Sequence, residues 1–206
     1  MTAPANPMPG EEIVPLFTTP VQESGTSFLA FLLIRLFLPA IVLLASPAFA
    51  HVGADDMPDA VAEVEYSIFL EFQPKDTVIR NKLGMVYYRL NKYKEAVREF
   101  SRILKQDPDN YDALDGMGLV RAAQGEYDEA IDLHRRAIGL NDEDMMGYFH
   151  LGSALEKKGR LPEAMEAYQA ARARYSKQYP QGTDNKQAVE FGRTLEAAIA
   201  GLETRL

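Results

Sequence analysis

The chain has 206 residues, a net charge of −8 and a pI near 5.0, and it contains no cysteine. This length allows one ordinary domain together with a leader or tail. The lack of cysteine excludes disulfides, thiolate nucleophiles, zinc ribbons and iron–sulfur ligation, and the acidic balance argues against nucleic acid as a partner.

The first 50 residues differ in kind from the rest. Residues 1–27 contain no Lys or Arg, and we predict a disordered leader there. Residues 28–50 contain an apolar run after Arg35 and end in Ala48-Phe49-Ala50, the small-x-small pattern of signal peptidase cleavage. We therefore expect export, with cleavage after Ala50 and a periplasmic or other extracytoplasmic location.

An uncleaved membrane anchor is the alternative for the same segment. Residues 28–45 are just long enough to span a bilayer, but Arg35 would then lie near its centre at a cost of roughly 2.5–3.5 kcal/mol. That cost favours cleavage, whereas the long uncharged leader is unlike the n-region of a signal peptide. Contact with a membrane is expected only through residues 28–45, if they are not removed.

Small residues recur at a fixed interval of 34 in the remainder of the chain. One set is Gly84, Gly118 and Gly152, and the other is Ala96, Ala130 and Ala164. The alanines are followed, four positions later, by the larger residues Phe100, His134 and Tyr168. Such spacings lie on one face of a helix, so the pattern predicts repeated helical units.

This pattern resembles the tetratricopeptide repeat (TPR) family, with units at residues 77–110, 111–144 and 145–178. The resemblance implies an all-α fold, a right-handed α-solenoid of antiparallel helix pairs in which small residues let paired backbones approach closely. Half repeats are expected at 51–76, with a lone second helix, and at 179–206, with an insertion and a C-terminal capping helix. We expect eight helices, with left-handed turn residues at Asn91, Gly125 and Gly159.

The family resemblance further implies that the first helix of each unit lines a concave, peptide-binding face. Transferred to this chain, the binding positions are Val78, Asn81, Met85, Tyr88, Asp112, Asp115, Leu119, Met146, Phe149, Ser153, Val189 and Arg193. Many are apolar, and Met adapts its shape to different ligands, so an amphipathic helix or an extended peptide would suit the groove. The alternative is that several of these side chains cover one another and bind nothing.

Signals for catalysis or cofactors are weak throughout the sequence. His51, His134 and His150 are far apart along the chain; His134 occupies an aromatic packing position, and His150 is expected at a helix surface. We therefore expect no metal, no cofactor and no enzymatic activity. The sequence favours a scaffold that binds a protein or peptide outside the cytoplasm; the alternatives are a membrane-tethered assembly factor and a self-associating spacer, which would be a homo-oligomer.

Overall fold

The structure, a computed structural model, describes residues 57–206, which form eight α-helices and contain no β-strand. The helices are α1 (Asp59–Phe72), α2 (Thr77–Arg89), α3 (Tyr93–Gln106), α4 (Tyr111–Ala123), α5 (Tyr127–Leu140), α6 (Met145–Lys158), α7 (Leu161–Gln178) and α8 (Lys186–Glu203). Each helix contacts the next one along the chain. The expected all-α solenoid, with three helix pairs flanked by single helices, is thereby confirmed.

The first helix of each pair begins at an acidic or amide cap. The caps of α2, α4 and α6 are Asp76, Asn110 and Asp144, and each side chain accepts a hydrogen bond from a backbone N–H of the first helical turn. Such a cap satisfies a donor that has no partner within the helix. Asn185 caps α8 in the same way, so the C-terminal helix begins as a first helix does.

The turn inside each pair has the predicted backbone conformation. Asn91, Gly125 and Gly159 have φ angles of 58°, 82° and 84°, which lie in the left-handed region. This conformation reverses the chain within a few residues and lets the second helix fold back on the first. The prediction made for these three residues is confirmed.

Each repeated glycine of a first helix leaves space for an aromatic ring of the second helix. The glycines were expected to let the two backbones approach closely, and the structure adds that the ring occupies the space that a side chain would fill. A Cβ atom on these glycines would lie within 2.8 Å of the nearest ring atom of the second helix; the pairs are Gly84 with Phe100, Gly118 with His134, and Gly152 with Tyr168. The large residue four positions after each alanine therefore fills the space above the glycine. A side chain at the glycine would displace the ring.

The core is divided along the solenoid into two clusters that meet at α5. One cluster contains Phe100, Ile103 and Leu114 together with other side chains of α3 to α5. The second extends from Ile131 through α6 and α7 to Leu195 and other buried side chains of α8. Because α8 contributes buried residues to the second cluster, it covers the open end of the third helix pair.

Several sequence predictions concern residues outside the described part of the chain. These are the leader at 1–27, the signal or anchor segment at 28–50, and His51. Among the helices of residues 57–206, none is long and apolar enough to cross a membrane.

Candidate peptide-binding surface

The first helices of successive units lie side by side. α2 contacts α4, and α4 contacts α6, in addition to the contacts that each makes with its own second helix. Residues repeated at equivalent positions of these helices are therefore neighbours across units. We call the predicted binding positions on α2, α4, α6 and α8, from Val78 to Arg193 as given above, the first-helix surface.

Three apolar residues of the first-helix surface are exposed. Val78, Met146 and Val189 expose 64%, 37% and 39% of their surface. Met85, Tyr88 and Leu119 are half-buried. Exposed and half-buried apolar side chains on one series of helices provide contact area for an apolar partner.

Phe149 is more enclosed than an open groove would require. Its ring centroid lies 5.4 Å from that of Phe191 on α8 and 5.5 Å from that of Tyr168 on α7. Tyr175 of α7 extends this aromatic cluster by a contact with Phe191. Phe149 is therefore part of the packing that holds the C-terminal helix. For this residue the structure favours the alternative in which the apolar side chains of the surface cover one another.

The polar members of the first-helix surface differ in their surroundings. Asp112 and Arg193 are exposed, and Arg193 forms an ion pair with Glu190 of its own helix. Asn81 and Ser153 are half-buried, and the side-chain oxygen of Asn81 is buried without a hydrogen-bond partner among the described residues. Asn81 thus retains an acceptor that no described protein group satisfies.

Asp115 is buried and is already bound by two histidines. His134 Nδ1 lies 2.7 Å from one oxygen of the Asp115 carboxylate, and His150 Nδ1 lies 2.8 Å from the other. The two imidazole rings are tilted, with centroids 5.6 Å apart. His134 and His150 are far apart along the chain, but α4, α5 and α6 bring them onto one carboxylate. The side chain of His150, which was expected at a helix surface, is 16% exposed.

The two histidines determine the ionisation of Asp115. Burial by itself would raise the pKa of the Asp115 carboxyl, but the hydrogen bonds from His134 and His150 outweigh it and hold that pKa well below its usual value. The pKa of Asp112 is raised, first by burial and then by the negative charges of Asp115 and Asp144. Asp112 therefore lies within electrostatic range of two other carboxylates, those of Asp115 and Asp144.

The register of the repeats contains a signal for this cluster that the sequence interpretation did not use. Phe100 contacts Gly84 of its own unit and Gly116 of the next unit. His134 and His150 have the same separation along the chain as Phe100 and Gly116. His134 and His150 therefore occupy the positions of Phe100 and Gly116 one unit later, and a contact between these positions predicts that the two histidines are neighbours.

A family model described as tetratricopeptide repeat matches the chain twice, at residues 81–144 and 116–181. Among curated relatives, the probable UDP-N-acetylglucosamine–peptide N-acetylglucosaminyltransferase SPINDLY of Hordeum vulgare is 32% identical over 83 residues. That match covers 40% of this chain and 9% of the relative, so the similarity spans a small part of the larger protein.

Solved structures of similar fold include a secretion chaperone and a TPR domain. The Yersinia enterocolitica type III secretion chaperone SycD, in complex with a peptide of the translocator YopD, superposes with a TM-score of 0.53 at 21% identity, covering 61% of this chain and 91% of SycD. The TPR2B domain of yeast Sti1, in a complex with pHsp70, gives a TM-score of 0.54 at 16% identity, covering 63% of this chain and 98% of that domain.

These likenesses agree with the helix pairing, the 34-residue spacing and the left-handed turns described above. Through residues 81–181, the chain belongs to the tetratricopeptide repeat family.

Proposed function

We propose that this chain is a non-catalytic scaffold that binds an apolar segment of a protein or peptide on its first-helix surface. The observation that carries the proposal is the exposure of Val78, Met146 and Val189 on α2, α6 and α8. α4 contacts both α2 and α6, and α8 caps the solenoid. An amphipathic helix or an extended segment would cover these side chains and remove apolar surface from water.

Two similar folds support this reading by what they bind. SycD was solved with a peptide of YopD, and the TPR2B domain of Sti1 was solved in a complex with pHsp70. Both chains are comparable in size to residues 57–206, since the similarity covers 91% and 98% of them. The partner of the present chain is described only by its chemistry, as an apolar or amphipathic segment.

The test is crosslinking of the tagged protein in cells, followed by mass spectrometry. The double variant Val78→Glu, Met146→Glu places charges on exposed sites in the first turns of α2 and α6, where an acidic residue is compatible with the helix dipole. We expect it to stay helical and to lose a crosslinked partner, since a desolvated carboxylate opposes apolar binding.

Leu140→Glu is the matched control, because Leu140 is 46% exposed on α5, a second helix, and is not a position of the first-helix surface. The control should keep the partner. If the double variant keeps every crosslink, the first-helix surface is not the binding site. If the only crosslinks of the wild type are to itself, the self-associating spacer replaces the adaptor.

We further propose that the scaffold acts outside the cytoplasm, either released after cleavage following Ala50 or tethered through residues 28–45. Support for this setting comes from the sequence of residues 28–50 alone. The intact mass of the protein recovered from cells separates the two forms. A mass that corresponds to residues 51–206 indicates cleavage. A mass that corresponds to the full chain, for protein recovered in the membrane fraction, indicates the anchor. The full chain recovered in the soluble fraction would contradict both forms.

A further inference from the structure

The proposed binding function is carried by exposed apolar side chains and makes no use of the histidines His134 and His150, although their partner Asp115 is a position of the first-helix surface. One carboxylate oxygen and one ring nitrogen from each histidine lie within 4.8 Å of one another. The three residues come from three successive helices, α4, α5 and α6. A convergence of this kind is produced by the tertiary structure and not by a local sequence motif.

The cluster carries a buried negative charge. The side chain of His134 is 1% exposed, that of Asp115 is 13% exposed and that of His150 is 16% exposed. Among the described residues, the ion-pair partners of Asp115 are these two imidazoles. No Lys or Arg among the described residues pairs with Asp115, so a cation held by the carboxylate and the two imidazoles would offset the cost of burying the carboxylate charge.

The surroundings hold the cluster in place and favour a cation. The ring of His134 lies directly over Gly118, where a Cβ atom would be 2.6 Å from it, so the ring has little room to turn away. Nε2 of His134 is buried and has no hydrogen-bond partner among the described residues. Asp112 lies close enough to both Asp115 and Asp144 to interact with them electrostatically, so these carboxylates add negative potential near the cluster.

Two imidazole nitrogens and one carboxylate oxygen form a ligand set that suits zinc and neighbouring divalent transition metals. Three protein ligands leave a further coordination position for water. We propose that Asp115, His134 and His150 bind one divalent transition-metal ion, of which Zn²⁺ is the best match, between α4, α5 and α6. His150 is the most exposed ligand and gives the ion access from solvent.

A bound ion would link two consecutive repeats. Asp115 and His134 belong to one helix pair, and His150 belongs to the next. Coordination would therefore tie the second unit to the third beside the first-helix surface, while the peptide-binding proposal does not depend on it.

The test uses the full-length protein, treated with EDTA and dialysed into metal-free buffer. Zinc chloride is titrated by calorimetry, and Co²⁺ is added separately, because its visible absorption reports the number and type of ligands. We expect one Zn²⁺ per chain, a Co²⁺ spectrum of low coordination number with nitrogen and oxygen ligands, and a thermal midpoint that rises by several degrees with Zn²⁺.

Three variants assign the site. His134→Phe should fold, because Phe100 occupies the equivalent position of the first unit, and it should bind Zn²⁺ at least tenfold more weakly. His150→Gln should weaken binding to a similar degree, and its partly exposed side chain makes loss of folding a lesser concern. His51→Ala is the control, because His51 is the third and last histidine of the chain, and it should leave binding unchanged.

Either of two results would overturn the proposal. The first is a folded wild-type protein that shows neither binding heat nor a Co²⁺ spectrum when the metal is in large excess over the protein. The second is binding that persists in His134→Phe and His150→Gln, or that disappears in His51→Ala. Since none of these measurements involves a peptide, failure here leaves the proposed scaffold function as it stands.

Discussion

Phe100 shows how a single residue determines the spacing of three helices. Its ring is fully buried in α3 and lies against Gly84 of α2 on one side and Gly116 of α4 on the other. A Cβ atom would lie 2.7 Å from the ring at Gly84 and 2.5 Å from it at Gly116. The ring cannot move away from one helix without meeting another, so the glycines are needed for packing, although glycine costs about 1 kcal/mol in a helix relative to alanine.

We expect Gly84→Ala to destabilise the protein by about 1–3 kcal/mol, because the new methyl group overpacks against Phe100 and outweighs the gain in helix propensity. Urea unfolding followed by circular dichroism measures the change. Gly201→Ala is the matched control: Gly201 is also helical, but a Cβ atom there has no neighbour within 4 Å, so this change should stabilise by up to about 1 kcal/mol. Equal effects of the two substitutions would contradict the argument.

At the scale of helices, a buried ion pair joins the first unit to the segment before it. Arg80 of α2 and Glu99 of α3 lie 2.5 Å apart, with side chains 8% and 7% exposed. Arg80 also donates to the backbone carbonyl of Pro74, which lies between α1 and α2, and Glu99 accepts a second hydrogen bond from Arg102. One guanidinium therefore connects α2 both to its partner helix and to the end of the N-terminal half repeat.

Glu99→Leu should cost about 3–5 kcal/mol, because it leaves the Arg80 guanidinium buried without its carboxylate. The double variant Arg80→Met, Glu99→Leu removes both charges and should recover most of that loss. Chemical unfolding of the two variants beside the wild type gives both free energies. A double variant as unstable as the single one would show that the pair is required for packing itself and not for charge compensation.

At the scale of the whole molecule, residues 57–206 behave as a stack in which each helix depends on its neighbours. α4 contacts α2, α3, α5 and α6, whereas α1 packs against α2. The buried side chains of α1 are Ala62 and Leu70, and Val61, Val64 and Phe72 are exposed. Stability in such a stack is a sum of unit and interface contributions, so it should fall toward the N-terminal helix.

Amide hydrogen exchange should therefore protect α4 and α5 most strongly and α1 least. α8 should lie between these limits, because Leu195, Ile199 and Leu202 are buried against the second core cluster. Exchange followed by mass spectrometry resolves these segments. Protection in α1 equal to that in α4 would indicate that α1 has a further partner in solution, which is what the self-associating alternative requires.

Much of the architecture follows from local features that are visible along the chain. The 34-residue recurrence of small residues, and the turn residues Asn91, Gly125 and Gly159, predict helix pairs and their register, because helix periodicity and turn conformation are local properties. The C-terminal capping helix, expected within residues 179–206, is observed at Lys186–Glu203. The candidate binding surface follows from the same register, and its role as a binding site stays a prediction.

Side-chain environments, by contrast, were decided by how the helices stack. The sequence by itself determined that His134 occupies the aromatic position of its unit, but only the tertiary structure brought it together with Asp115 and His150. Along the chain, Asp115 lies 19 residues from His134 and 35 residues from His150. Phe149 likewise acquired a covering partner, Phe191, from beyond the six-residue insertion that interrupts the repeat. Helix periodicity predicts which face of its helix a residue occupies. The side chains that this residue contacts come from other helices and other units, so no local sequence pattern specifies them.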